Sequence, residues 1–364
     1  MKTRVLVTGA GALLGQGIIK SLRLSGTEYH IIAADPDRRG AGLYWADAAY
    51  LIPMAKAPDY LETIRRILAL ERPDAVLIGT DVELMIFAAH REELETEFRT
   101  RIVVSSPDVV QIADDKWLTY QFLVRHGLPY PRTALPENAE SLVAECGFPL
   151  VVKPRVGARS VGVQVVNSVD HLRLALMITE NPVIQECVST PRDEYTSGLL
   201  IVDGAAQAVV TMRRDLRDGN TYRAYVQPEC VHNSFLADVA GLLGGYGPLN
   251  FQFRVADGQP KIFEINARFS GTTPLRAYAG FNEVDYLLRQ ILFGEHIPSP
   301  ALREAVILRY WDEIVLQPEQ LRALSGDGPV SHPTCEHPFL LDRGAQSENV
   351  QALPAGPESG PNNI

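Results

Sequence analysis

The first part of the chain alternates between short apolar runs and amphipathic stretches, and this alternation restricts the fold more than any other feature. An apolar run at residues 4–8 leads through the glycine turn Gly9-Ala10-Gly11 into a helix predicted over residues 14–24, and a second strand follows at 29–34. Strands that alternate with such helices pack into a parallel sheet with helices on both faces. We therefore predict an α/β, Rossmann-like domain over residues 1–110.

The rest of the chain predicts two α+β lobes and a tail. Residues 111–190 combine helices, short strands and a glycine-bearing loop into a small lobe. Residues 191–326 contain strand segments separated by turns such as Asp218-Gly219 and Asp257-Gly258, which predict a larger antiparallel sheet. Residues 327–364 are rich in Pro, Gly and Ser without periodicity, and we expect a mostly disordered tail.

Composition excludes several classes of protein. The formal net charge of -10 disfavours nucleic acid as a partner, because binding a phosphate backbone requires a basic face. No apolar run reaches the roughly 18 residues that span a membrane. The four cysteines, Cys146, Cys187, Cys230 and Cys335, show no CxxC spacing, which argues against zinc and against a disulfide framework. With no secretion signal at the N-terminus, we expect a cytoplasmic protein, and a homodimer remains open.

The N-terminal glycine turn allows one functional interpretation. Gly9 and Gly11 precede a helix, and Asp35 follows the second strand, where an acid binds ribose in dinucleotide-binding domains. This pattern favours an NAD-dependent oxidoreductase or epimerase. Its spacing is GxGxxxG, however, and such glycines also serve only to pack a helix against a strand. The chain lacks the Tyr-x-x-x-Lys pair of such reductases.

A second candidate nucleotide site begins at a lysine. Lys153 ends an apolar strand and is followed by Pro154, so its cation is held where it can bind phosphate oxygens. In the next loop, Gly157, Ser160 and Gly162 leave backbone amides available to phosphate groups. A surface lysine and an ordinary hairpin loop are the alternatives.

The segment around Glu264 predicts a metal site. On a strand, Glu264 and Asn266 point to one face while Phe263 and Ile265 pack on the other, and Gln252 is reachable across a hairpin. Mg²⁺ prefers hard oxygen ligands of this kind, together with triphosphate oxygens. A solvated strand face is the alternative, but an acid and an amide aligned beside an apolar face favour function.

Taken in order, these motifs resemble the ATP-grasp superfamily, and most closely standalone proteins similar to the large subunit of carbamoyl phosphate synthetase. The matching motifs are Asp115-Lys116, Val152-Lys153-Pro154, the glycine loop, Gln185-Glu186, Glu194-Tyr195 and Glu264-Ile265-Asn266-Ala267-Arg268. The resemblance covers residues 1 to about 315. It implies a Rossmann-like pre-ATP-grasp domain followed by a two-lobed ATP-grasp fold, and an ADP-forming ligase that activates a carboxylate as an acyl phosphate and transfers it to an amine.

The resemblance also implies roles for particular residues. Arg268 and Lys153 would be catalytic, and Gln252, Glu264 and Asn266 would hold Mg²⁺, or Mn²⁺ in its place. The residues expected to bind ATP are Lys116, Lys153, Gly157, Ser160, Val161, Gly162, Glu186, Cys187, Val188 and Glu194. Many members have a glutamate where this chain has Gln252. Carbamoyl phosphate synthesis uses two such units and a glutaminase, whereas this chain shows one unit without repeat.

The two substrates are less defined. Arg213, Arg214 and Arg276 lie in segments that the family places near its acyl pocket, and each could bind the carboxylate of an amino acid. Asp81 and Glu83, with Thr80, follow a parallel strand and could hold an amine, although a helix N-cap explains them equally well. The expected partners are a small-molecule carboxylate and amine, an amino acid among them. A catalytically silent ATP-binding protein is a further alternative.

Overall fold

A computed structural model of the chain describes residues 2–188, 194–324 and 330–331. Within these ranges the backbone forms two six-stranded sheets and one four-stranded sheet, with helices packed against them. The predicted fold class, an α/β leading part followed by α+β lobes, is confirmed. No helix in the described ranges combines the length and apolar content needed to cross a membrane.

The first sheet is doubly wound: five of its six strands are parallel, and the sixth, Val330–Ser331, pairs antiparallel with β3 at one edge. Its strands run in the order β3-β2-β1-β4-β5, so β1 lies at the centre, and buried apolar side chains cover both faces. The elements are β1 (Thr3–Thr8), α1 (Leu13–Leu24), β2 (Tyr29–Asp35), β3 (Ala48–Leu51), α2 (Tyr60–Glu71), β4 (Ala75–Ile78), α3 (Asp81–Phe98) and β5 (Arg101–Val103). The short 3-10 helix Ala41–Trp45 precedes β3.

The small lobe has an antiparallel sheet in the order β6-β9-β7-β8. Its elements are α4 (Pro107–Asp114), α5 (Lys116–Arg125), β6 (Thr133–Ala134), α6 (Ala139–Cys146), β7 (Leu150–Pro154), β8 (Gln164–Val166), α7 (Val169–Ile178) and β9 (Pro182–Glu186). The carboxylate of Asp115 accepts hydrogen bonds from the Trp117 and Leu118 amides, and so caps α5. The same carboxylate forms an ion pair with Arg155, which fixes the start of the glycine loop.

The large lobe has an antiparallel sheet in the order β14-β13-β10-β11-β12-β15. Its elements are β10 (Glu194–Val202), β11 (Ala205–Arg217), β12 (Asn220–Val226), α8 (Asn233–Leu243), β13 (Gly247–Ala256), β14 (Gln259–Asn266), α9 (Thr273–Tyr278), α10 (Glu283–Phe293), β15 (Ala305–Leu308) and α11 (Pro318–Ala323). Helix α8 packs Leu236, Val239 and Ala240 against one face of this sheet. The opposite face is therefore the one available for a site.

Several predicted elements require correction. Helix α8 was not predicted, because its short apolar pattern is interrupted by Gly241. The sequence of residues 303–315 predicts one more strand, and the structure forms it only over Ala305–Leu308. Two residues of the predicted tail, Val330–Ser331, pair with β3 as an antiparallel strand; the other residues of that tail lie outside the described ranges.

The segment that follows β14 rests on the first domain. A Cβ atom at Gly17 in α1 would lie 3.1 Å from Cδ of Pro274, and one at Gly271 would lie 3.1 Å from Cδ2 of Leu13. These close approaches join α1 to α9 and to the loop before it. They bring Arg268, just after β14, to the carboxyl-terminal edge of the parallel sheet.

Candidate functional site

Strands β13 and β14 place the predicted metal ligands on one face of the large sheet. Gln252 pairs with Glu264, and Asn250 pairs with Asn266. Residues that pair directly across antiparallel strands point to the same side. Gln252, Glu264 and Asn266 thus lie together on the face opposite α8, as expected from the alternation of the strand.

A β-bulge corrects the prediction for Phe263. The register shifts after Gln252, so that Phe253 pairs with Ile262 and Phe263 becomes the extra residue. Ile262 and Ile265 are the fully buried residues of the core, whereas Phe263 is half-buried. The centre of the Phe263 ring lies 5.5 Å from Nζ of Lys153. Phe263 therefore faces the small lobe instead of packing beside Ile265.

The site residues form a continuous chain of hydrogen bonds. Oε1 of Glu264 accepts from Nε2 of Gln252 at 3.3 Å and from Nδ2 of Asn266 at 3.2 Å. Oε1 of Gln252 accepts from Arg214 at 2.6 Å, and Oδ1 of Asn266 accepts from Arg268 at 2.8 Å. Both amide oxygens are thus engaged by guanidinium groups. Glu264 is the charged member, and its Oε2 accepts no hydrogen bond within the described residues, so this set fits a divalent ion bound through Glu264.

Arg268 links the large lobe to the first domain. Its side chain is buried, and its Nε donates to Oδ1 of Asp81 at 2.8 Å. Asp81 is the first residue of α3 and lies at the carboxyl-terminal edge of the parallel sheet. The predicted catalytic arginine and one predicted amine-binding acid are therefore in direct contact.

Lys153 lies opposite this face, at the end of β7. Its Nζ is buried and donates to Oε1 of Gln185 at 2.8 Å and to the Phe263 carbonyl oxygen at 3.4 Å. Burial, and then the nearby charge of Lys116, lowers the pKa of Lys153 from its ordinary 10.5 to about 7. Among the described residues no carboxylate pairs with Lys153, and such a buried cation is a favourable contact for a phosphate group.

The glycine loop between β7 and β8 presents open backbone amides. In the described part of the chain, the amides of Gly157, Ser160 and Gly162 donate to no protein acceptor, whereas those of Val161 and Val163 bond to carbonyls inside the loop. Gly162 has a φ of 74° and Ser160 one of 54°. Nζ of Lys116 donates to the Gly157 carbonyl oxygen at 2.9 Å and anchors the base of the loop. The loop predicted to cover the phosphates thus has open amides, as that prediction requires.

The residues expected at the adenine lie on and just after β9. Glu186 is held by the Arg132 amide at 3.0 Å and by Nζ of Lys261 at 3.0 Å, which ties the two lobes together. Val188 is buried, and its carbonyl oxygen accepts from Arg254 at 3.1 Å. Cys187 between them is a free, half-buried thiol.

Glu194, the expected ribose acid, is clamped by two arginines. Its Oε1 accepts from Arg214 at 2.7 Å and its Oε2 from Arg254 at 2.7 Å. Burial acts to raise the pKa of Glu194, but these two guanidinium groups hold it below its ordinary value. Arg214 is therefore committed to Glu194 and Gln252, which corrects its assignment to the substrate carboxylate. The role of Arg254 was missed, although its position two residues after Gln252 on one strand places both on the same face.

The other two arginine candidates are engaged by neighbouring side chains. Arg213 pairs with Tyr225 and Tyr195 on the face that carries α8, and its guanidinium lies 3.6 Å from the centre of the Tyr225 ring. Arg276 is 1% exposed, and its Nε lies 2.7 Å from Oε2 of Glu283. Arg213 thus points away from Glu264, which corrects its assignment, whereas Arg276 lies against Gly198 on the same face as Glu264 and is engaged by Glu283.

Glu83 is also corrected. It is buried and accepts hydroxyl hydrogen bonds from Thr8 at 2.9 Å, Thr80 at 2.6 Å and Tyr60 at 2.5 Å. Burial raises the pKa of its carboxyl group. The Glu83 carboxylate packs beneath Gly9 of the glycine turn, and because it is buried it is not accessible to a substrate amine.

The N-terminal glycine turn is filled by the chain itself. The Gly11 amide donates to Oδ2 of Asp35 at 2.7 Å, and the Asp37 amide donates to Oδ1 of Asp35 at 2.9 Å. A Cβ at Gly11 would lie 2.8 Å from Cα of Gly40. Both the amide that would bind a pyrophosphate and the acid that would bind a ribose are thus already used. The dinucleotide interpretation is not supported by this geometry.

Comparison with known families agrees with the two parts of the fold. Residues 113–272 match the ATP-grasp domain, and residues 5–101 match the PylC-like N-terminal domain. The chain is 24% identical over 337 residues to the carbamoyl phosphate synthase large chain of Pasteurella multocida (strain Pm70), a match that covers 84% of this chain and 30% of that protein. The chain thus spans about a third of the length of the curated relatives it matches.

Solved structures share the fold at low sequence identity. N5-carboxyaminoimidazole synthetase from Staphylococcus aureus, complexed with ADP, has a TM-score of 0.63 at 13% identity, covering 85% of this chain and 81% of that one. L-amino acid ligase from Bacillus licheniformis has a TM-score of 0.61 at 17% identity, covering 80% of this chain and 74% of that one. Residues 113–272 thus match the ATP-grasp domain in sequence, residues 5–101 match the PylC-like N-terminal domain, and the chain shares the fold of these solved ligases.

Proposed function

We propose that the chain is an ADP-forming carboxylate-amine ligase that activates a carboxylate as an acyl phosphate. The observation that supports this most directly is the arrangement of the cleft between the lobes. Glu264 and Arg268 lie on one side, while Lys153 and a loop with open amides lie on the other. Positive charge on both sides of a phosphate path is what phosphoryl transfer requires, since catalysis there consists mainly of positioning and charge stabilisation.

Each group has a distinct task in this proposal. Lys153 and the amides of Gly157, Ser160 and Gly162 bind the phosphates, and Val188 and Glu186 border the adenine. Glu264, with the amides of Gln252 and Asn266 beside it, would hold Mg²⁺ or Mn²⁺, and the ion would supply positive charge to the phosphate groups. Arg268 stabilises the negative charge that develops on the acyl phosphate.

The acceptor side of the site is assigned to the first domain. Asp81 contacts Arg268 and lies at the carboxyl-terminal edge of the parallel sheet, where sheets of this type bind ligands. Its carboxylate is suited to an ammonium group. The proteins of similar fold include an L-amino acid ligase. We propose that the substrates of this chain are a small carboxylate and a small amine, with amino acids as the first candidates. We further propose that the reaction takes place in a reducing cytoplasm.

The test is an ADP and phosphate assay with ATP, Mg²⁺ and single or paired amino acids. We expect stoichiometric ADP and phosphate that depend on both a carboxylate and an amine. Release of AMP and pyrophosphate contradicts the proposal. ATP-dependent thermal stabilisation without turnover on any amine supports the catalytically silent alternative instead.

Replacement of Glu264 tests the assignment of the site. Glu264→Ala should abolish ADP release while the protein stays folded, because the side chain lies in the cleft and not in the core. Gln259→Ala, an exposed position on the same strand, is the matched control and should keep its full rate. Full activity in the Glu264 variant would remove the metal assignment.

A further inference from the structure

The two edges of the large sheet differ in their protection. At one edge, β14 carries Pro260 and Lys261, and helices α4 and α5 pack against it. Proline and lysine are residues that natural sheets place on edge strands to prevent further pairing. At the other edge, β15 has neither residue, and within the described ranges it pairs with β12 alone. The β15 edge is therefore open to a further strand.

Two residues of β15 present open backbone groups. The Arg309 amide, just after the strand, donates to the Tyr222 carbonyl oxygen at 3.0 Å. Along an antiparallel pair, residues that bond to the neighbouring strand alternate with residues whose backbone groups point away from it. Counting back from Arg309, the N–H and C=O groups of Val306 and Leu308 point away from β12. They form a row of two donors and two acceptors at the open edge.

The side chains at this edge are apolar and exposed. Val306 is 61% exposed and Leu308 is 64% exposed, and the exposed rings of Tyr310 and Trp311 continue the apolar surface beyond the strand. The residue between the first two, Ile307, packs inward on a buried cluster. An exposed edge strand with apolar side chains is a template for pairing with another chain.

We propose that β15 pairs antiparallel with β15 of a second copy of this chain, so that the two large sheets join across a two-fold axis. The open backbone groups set the register: Val306 of each copy lies opposite Leu308 of the other, and Ile307 lies on the axis. The two Val306–Leu308 pairs then exchange backbone hydrogen bonds, and their side chains pack across the interface. Such an interface uses the same surface of both copies.

The charges that flank the strand agree with this register. The strand pattern of residues 303–315 lets the pairing continue beyond β15 itself. With Ile307 on the axis, Arg303 falls opposite Trp311 of the second copy and beside Asp312, so that a cation meets an aromatic ring and a carboxylate. Within this segment the register pairs no two like charges. The edge therefore complements itself, which favours a second copy as its occupant.

Sedimentation velocity over a concentration series tests the proposal, with thermal unfolding of each variant to verify the fold. The wild-type chain should form a dimer. Leu308→Lys and Val306→Glu should each raise the dimer dissociation constant at least about tenfold, because each sets a charge against an apolar side chain of the second copy. The double variant, Val306→Glu with Leu308→Lys, should recover most of this loss, since each glutamate then lies opposite a lysine.

The control is Leu70→Lys, at an exposed leucine of α2 in the first domain, which should leave the dissociation constant unchanged. A monomer at every concentration overturns the proposal and leaves the edge to an occupant other than a second copy. A dimer that Leu308→Lys does not weaken overturns it as well, and a double variant as weak as the single variants overturns the register. None of these results depends on ADP release, so failure of the proposed ligase function is a separate outcome.

Discussion

Two glycine turns in this molecule look alike in sequence and differ in structure. At the N-terminal turn, a Cβ at Gly15 would lie 2.2 Å from the Gly9 carbonyl oxygen, and the Gly11 amide already binds Asp35. At the loop between β7 and β8, the nearest atom to a Cβ at Gly157 would be Cβ of Pro154, at 3.9 Å. The first turn uses its glycines to bring backbone segments together, whereas the second keeps its amides open.

The difference shows why a glycine pattern by itself does not identify a nucleotide site. A missing side chain permits the close approach either of a phosphate or of the protein's own backbone, so the presence of glycines does not distinguish the two cases. What separates them is the neighbouring charge. The carboxylate of Asp35 accepts a hydrogen bond from the Gly11 amide in the first turn, whereas the cations of Lys116 and Lys153 lie at the base of the second loop.

The largest expected effect on the rate of ADP release comes from replacing Lys153, which lies at the base of the open loop. Lys153→Met should reduce ADP release by about 10² to 10³, the cost of removing one preorganised charge contact to the phosphates. Asp35→Asn, at the filled turn, should leave the rate within about twofold, because the turn binds no nucleotide. The measurement is steady-state ADP production, with thermal unfolding to verify the fold. Equal losses of rate in Lys153→Met and Asp35→Asn would contradict the distinction between the two turns.

A smaller effect is expected on folding at the filled turn. Gly15→Ala places a methyl group against rigid backbone, which costs up to about 3 kcal/mol, and the gain in helix propensity returns about 1 kcal/mol. The free energy of unfolding should fall by about 2 kcal/mol, measured by urea denaturation. Gly26→Ala, where a Cβ meets nothing within 4 Å, is the control. An unchanged stability in Gly15→Ala would show that the turn is looser than described.

The smallest effect concerns pH at the open loop. Lys153 has a pKa of about 7 in the folded protein, so above pH 7 it is mostly neutral and must take up a proton to bind phosphate in its charged form. The affinity for ADP should therefore be constant below pH 7 and fall by up to about tenfold per unit above it. In the absence of nucleotide, Lys153 of the unfolded chain has its ordinary pKa of 10.5 and so binds a proton that the folded protein does not bind between pH 7 and 10.5. The free energy of unfolding should therefore rise with pH across this interval. Calorimetry in buffers of different ionisation enthalpy measures the proton uptake, and Lys153→Met should abolish it.

Local patterns in the sequence predicted the elements that depend on neighbouring residues. Helix Tyr60–Glu71 and helix Val169–Ile178 begin and end where the apolar periodicity does. The hairpin around Asp257-Gly258 set the pairing as far as Phe253 with Ile262; continued unchanged, it would put Gln252 opposite Phe263, and the bulge brings Gln252 opposite Glu264 instead. The bulge at Phe263 was not predicted, because an extra residue in one strand leaves the alternation of the sequence almost unchanged.

The partners of the charged residues required the tertiary structure. Arg213 and Arg214 are adjacent, yet one lies beside Tyr225 and the other against Glu194. Arg268 meets Asp81, which is 187 residues away in the sequence. No local pattern distinguishes an arginine that is free to bind a substrate from one already paired.

The sequence by itself determined the order of the motifs, the alternating faces of the strands and hence the resemblance to the ATP-grasp superfamily. These properties follow from the period of a strand or helix, which is set by the backbone over a few residues. Only the tertiary structure decided which glycine turn is filled and which amide oxygens are held by arginines, because hydrogen bonds between distant segments exist only after the sheets have packed.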